Sequence, residues 1–108
     1  MRFYILVALL AFAAPCEAQD ISQRQYNALT AWINCEKRAA RQLDDGYSDP
    51  LSVGVALDSA CARLKQTAFA IETENMNYIG ESTARPQFEA MAMKAATEIV
   101  MRHRKGLD

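Results

Sequence analysis

The chain has little of the two residues that break regular structure: three prolines and four glycines in 108 residues. That scarcity excludes collagen-like and low-complexity classes, and an apolar content of 51% excludes intrinsic disorder. An excess of charge of one sign is also missing. Twelve Lys+Arg stand against thirteen Asp+Glu, a net charge of −1, so the basic footprint of a nucleic-acid binder is absent and no nucleic-acid partner is expected. There is one histidine, no Cys-x-x-Cys pair and no glycine-rich phosphate loop, which removes the usual signals for a metal knuckle, a redox pair or a nucleotide site. At roughly 100–200 residues per domain, the length leaves room for one domain.

What is present begins with an odd number of cysteines, Cys16, Cys35 and Cys61. Met1-Arg2, the apolar run from Phe3 to Ala14, and Cys16 and Ala18 at the −3 and −1 positions of a cut have the layout of a secretory signal peptide. Cleavage after Ala18 removes Cys16 and leaves a single domain over residues 19–108 with two cysteines. The apolar run has 12 residues, short of the roughly 20 that a membrane span needs, so no transmembrane segment is expected after cleavage. The rival reading makes Cys16 a lipid-bearing cysteine. Pro15 stands where such a signal wants Gly or Ala, and Ala13 where it wants Leu.

The remainder reads as all-α, a small domain of three helices. Ser22 with Gln25 three residues on forms a capping box, and Ile21 is placed to staple onto Tyr26. Ala28, Trp32, Cys35, Ala39 and Leu43 then fall on one helical face, and Gly46 supplies a stop. Asp49-Pro50 reads as an N-cap followed by proline at the first helical position. The second helix carries the stripe Leu57, Cys61, Leu64, Ala68 and Ile71, and its end falls somewhere between Glu72 and Arg85. Ser82 or Thr83 can cap a third helix, with Arg85-Pro86 in its first turn and a face through Phe88, Met91/Ala92, Ala95, Ile99 and His103.

Helix geometry pairs the two remaining cysteines. At 1.5 Å per residue, Cys35 and Cys61 stand about 14 and 17 Å from the turn on antiparallel helices, so they meet at nearly one height on inward stripes. An oxidising compartment would keep the bond formed. Closing the 26-residue loop is worth about 3.5 kcal/mol in the chain-entropy account. The segments Trp32-Ile-Asn-Cys35, Ala39-Ala-Arg-Gln-Leu43, Ser48-Asp-Pro50 and Val55-Ala-Leu-Asp-Ser-Ala-Cys61 resemble small exported proteobacterial proteins of unassigned function. The resemblance implies a disulfide-linked helical hairpin in a bacterial periplasmic or secreted protein, and brings no activity or ligand with it.

Candidate chemistry is sparse. His103 lies among Arg102, Arg104 and Lys105 at a helix end, where positive charge complements the dipole, and no nucleophile is placed beside it. Glu72 and Glu74 diverge on a helix, so they form no acid–base pair. Asp44, Asp45 and Asp49 lack calcium-loop spacing. No catalytic residue and no cofactor are assigned. Met91, Met93, Met101 and His103, with Met76, have the soft-ligand character of a Cu(I) site, although Met91 and Met93 point about 200° apart on a helix. The third helix carries a second apolar flank, Ala90, Met93, Ala96 and Val100, which reads as surplus surface for a protein partner or a second copy.

The leading expectation is therefore a non-enzymatic interaction module of the envelope, such as a stress protein, inhibitor or immunity-type partner. The second is a Cu(I)-handling protein, and a small helical enzyme is third. When the full chain is expressed in an exporting host, mass spectrometry is expected to show loss of residues 1–18 and a mass two hydrogen atoms below the reduced form. Two free thiols in that product would contradict the pairing.

Overall fold

A computed structural model describes residues 2–107, with side chains from Ser22 onward. The described chain contains four helices: α1 (Arg2–Leu43), α2 (Pro50–Ala60), α3 (Ala62–Glu72) and α4 (Tyr78–Arg104). No strand occurs among the described residues. The signal-peptide cut and Cys16 lie among residues whose side chains fall outside the described set. Among the described residues no helix is long and apolar enough to cross a membrane.

α2 and α3 together are the expected second helix, interrupted at one residue. Cys61 has φ −108° and ψ 18°, yet its N–H still donates to the Leu57 carbonyl and its carbonyl still accepts from Lys65, each at 3.0 Å. The break falls on the residue bonded to α1. The Cys35–Cys61 disulfide is present, with Cα atoms 6.0 Å apart, and it joins α1 to the α2–α3 arm as an antiparallel hairpin. α4 then packs mainly on α2 and also touches α1.

Local chemistry sets most element ends. Asp49 caps α2, accepting from Ser52 N at 3.2 Å, with Pro50 in the first position where its missing N–H has no helical partner to lose. Gly46 turns the chain after α1 at φ +79°, a conformation costly for any residue with a Cβ. Two starts differ from expectation. Ser22 is not a cap, because α1 runs through it, its N–H is no longer one of the orphan donors of a helix start, and Tyr26 points to solvent. α4 begins at Tyr78 rather than at Ser82 or Thr83. Asn77 accepts from Gly80 N at 2.8 Å and so supplies the cap earlier. Pro86 consequently lies inside α4; both it and Ser82, whose carbonyl loses a donor, are on the exposed side, where water can replace the bond.

The core is built largely from small residues. Ala39, Ala40, Ala68, Ala92 and Ala96 are buried, with Trp32, Leu57, Phe69, Phe88, Ile99 and Val100 supplying volume. Trp32 stacks on Phe88 with ring centroids 5.5 Å apart, and Phe88 meets Phe69 at 4.8 Å. Leu43, expected on the inward stripe, is half-exposed because α1 ends there. The stripe instead passes through Glu36 and Ala40.

At Gly54 α2 packs tightly against Thr97 of α4. A Cβ built there would lie 3.0 Å from Thr97 Oγ1 and 3.2 Å from Thr97 N, and the second atom is backbone that cannot step aside. Overpacking costs roughly 1–3 kcal/mol, against about 1 kcal/mol gained from better helix propensity. Gly54→Ala is therefore expected to lower the melting temperature, and Gly54→Val to lower it further. A rise in either variant would show that propensity, not the α2–α4 spacing, governs this position.

Candidate functional site

Two features stand out, and neither involves the stripe expected to face a partner. Ala96 and Val100 have no exposed surface; they belong to the core, and Met93 is half-buried. Of the expected flank, Ala96 and Val100 are consumed inside the chain, while Ala90 is exposed. A helix laid against one neighbour buries one stripe, whereas α4 touches both α2 and α1 and so buries a wider arc.

Exposed apolar side chains occur on α1 at Tyr26, Leu29 and Ile33 and on α2 at Leu51 and Val55, and a concave apolar surface lies at the α3–α4 turn. Phe69 of α3 and Phe88 of α4 form the floor of a cleft of about 300 Å3, with Met76, Ala84 and Met91 on its walls and Glu72, Thr73 and Gln87 at its edge. The floor is fixed by packing. Phe69 is held on one side by Phe88 and on the other by the Arg85 guanidinium, 4.6 Å from its ring centre. Thr73 closes α3 by donating its hydroxyl to the Phe69 carbonyl at 2.8 Å. Met76 and Met91 are both about half-exposed, and in the first turn of α4 Tyr78 is 83% and Ile79 74% exposed.

The second feature is a cluster of ionisable side chains at the height of the disulfide. Glu36 is 1% exposed and its Oε1 accepts from Trp32 Nε1 at 2.9 Å. Burial pushes its pKa up from 4.5 to about 7; the Trp32 hydrogen bond opposes this, the charge of Asp58 adds to it and that of Lys65 opposes it. Lys65, also buried, donates to Asp58 Oδ2 at 2.8 Å and to Glu89 Oε2 at 2.9 Å. Burial alone would lower the Lys65 pKa, but the bonds to Asp58 and Glu89 outweigh it and hold the ammonium charged. Asp58 Oδ1 is buried without a hydrogen-bond partner.

The sequence carried a signal for this cluster in its spacing. Glu36 is four residues after Trp32 and four before Ala40, and Asp58 and Lys65 flank Cys61 at steps of three and four. A charge on an inward stripe demands a partner.

The acidic turn has a structural explanation. Asp44 receives a two-pronged bond from Arg104, Nη2 to Oδ1 at 2.8 Å and Nε to Oδ2 at 3.1 Å, which lowers its pKa and ties the end of α4 to the α1–α2 turn. Asp45 accepts from Ser48 Oγ, Ser48 N and Tyr47 N, which lowers its pKa to about 2. His103 lines a polar recess with Asp44, Asp45, Gly46 and Arg104.

The candidate soft ligands are dispersed. Met91 and Met101 are ten residues apart on α4, about 15 Å along its axis, and Met101 and His103 lie toward the end opposite the cleft. Met76 and Met91 do share the cleft. Among the described residues no group of three or more His, Cys, Asp or Glu side chains is arranged to hold a metal ion. Comparisons with protein-family models, curated proteins and solved structures find no match.

Proposed function

We propose that the chain is an exported, non-enzymatic interaction module that docks a partner protein through the apolar cleft at the α3–α4 turn. The observation that carries this reading is the construction of the cleft, with two packed aromatic rings in the floor and two half-exposed methionines on the walls. Rigid rings give an anchoring side chain a defined seat, while flexible thioethers adapt to its shape. The exposed polar side chains of Glu72 and Gln87 supply hydrogen-bonding groups around an apolar centre, as protein interfaces do. Export rests on the arrangement of residues 1–18 and on a disulfide that an oxidising compartment would preserve.

The Cu(I) reading keeps one supporting observation, the shared position of Met76 and Met91 on the cleft walls. The two readings separate experimentally. A photo-cross-linking residue at position 91 is expected to give a discrete protein adduct in cells that export the chain, one at position 94 none, and Met76→Glu should abolish the adduct. No adduct from position 91 would contradict the docking surface, and an adduct of twice the chain mass would identify a second copy as the partner. Cu(I) binding tighter than micromolar that disappears in Met76→Leu/Met91→Leu would favour metal handling instead.

A further inference from the structure

The geometry points to a proton latch beside the disulfide: Glu36 is held as a neutral carboxylic acid whose proton is shared with Oδ1 of Asp58, across the α1–α2 interface. Four observations carry it. The first is register. Glu36 follows Cys35 by one residue and Asp58 precedes Cys61 by three, so on antiparallel helices pinned at 6.0 Å by the disulfide their heights differ by about 3 Å. The second is the count of charge around them. Glu36, Asp58 and Glu89 surround one ammonium, Lys65; Lys65 bonds Asp58 and Glu89, and the half-exposed Glu89 is also served by water. An ionised Glu36 would be a further buried negative charge facing Asp58 with no cation of its own.

The third observation is the orphan acceptor. Asp58 Oδ2 is taken by Lys65, while Oδ1 is buried and has no donor. A protonated Glu36 supplies that donor without adding charge. The fourth is Trp32, whose Nε1–H donates to Glu36 Oε1 at 2.9 Å and leaves the other carboxyl oxygen to carry the proton.

The groups facing Glu36 from the packed elements are Asp58 of α2 and Lys65 of α3, with Glu89 of α4 acting through Lys65. Arg85, one turn before Glu89, lies on the Phe69 ring. His103 is fourteen residues beyond Glu89, about 21 Å along α4, and so does not face the latch.

The folded chain keeps the Glu36 proton up to about pH 7, whereas an unfolded glutamic acid releases it near 4.5. Stability from this group is complete below pH 4.5 and is lost as pH rises through 7, the reverse of an ordinary paired carboxylate. Acid tightens the hairpin and alkali loosens it, whatever occupies the cleft.

Trp32 is the only tryptophan and reports the site directly. In the full-length oxidised chain, its emission is expected to change in one transition centred near pH 7, while the melting temperature falls between about pH 4.5 and 7 and levels off above that. Glu36→Gln keeps a neutral donor that cannot ionise; it should abolish the transition and melt higher than wild type at pH 8.5. Asp58→Asn should move the midpoint to lower pH. A transition near pH 4.5, a transition that survives in Glu36→Gln, or a midpoint unmoved by Asp58→Asn would overturn the latch. If the variants do not fold, a carbon-13 titration of Glu36 in the wild-type chain decides between a midpoint near 7 and one near 4.5.

Discussion

Everything in this fold is arranged around the crossing of α1 with the α2–α3 arm at Cys35 and Cys61. Two of the helices have only 11 residues each, a length at which an isolated helix is marginal in water. They bury only Val53, Gly54 and Leu57 from α2 and Lys65, Ala68 and Phe69 from α3, and the wider core includes five alanines, each of which buries little area. A covalent crossing compensates for that thin core by limiting the unfolded chain, and it fixes the register in which the small residues meet. Helix α4 can then settle onto both arms, approaching α2 closely enough at Gly54 that a single methyl group would not fit without movement.

The crossing also determines what can be buried beside it. With the helix heights pinned, Glu36, Asp58 and Lys65 are brought into one layer, and Trp32 connects that layer to the aromatic packing. The rings run on from Trp32 to Phe88 to Phe69, and the last two are the floor of the cleft. The surface proposed to bind a partner therefore rests on the same layer as the disulfide. At the far end, Arg104 gripping Asp44 ties α4 to the α1–α2 turn, so both ends of α4 are anchored.

Much of the architecture was legible from periodicity and turn chemistry. The all-α class, the Asp49-Pro50 start and the Cys35–Cys61 pairing depend on local spacing, which a sequence states directly. The start of α4 was not legible, because Asn77, Ser82 and Thr83 all have capping side chains and only the path of the chain decides among them. The burial of Ala96 and Val100 was missed for a different reason: an apolar flank looks surplus until the number of neighbouring helices is known. Glu36 was hidden among the ordinary charges of a helix, although its four-residue step from Trp32 placed it on the inward stripe. The cleft draws on three separate segments, α3, the turn after it and α4, so no single stretch announces it.

The central claim is that the disulfide crossing, rather than helix packing alone, holds the fold together. Thermal unfolding of the oxidised chain against Cys35→Ser, at one pH and without reductant, tests it most directly. Losing the constraint on a 26-residue loop is expected to cost about 3.5 kcal/mol, which for a domain of this size lowers the melting temperature by roughly 10 °C or more. An unchanged melting temperature in Cys35→Ser would mean that the helices carry the fold without their covalent crossing.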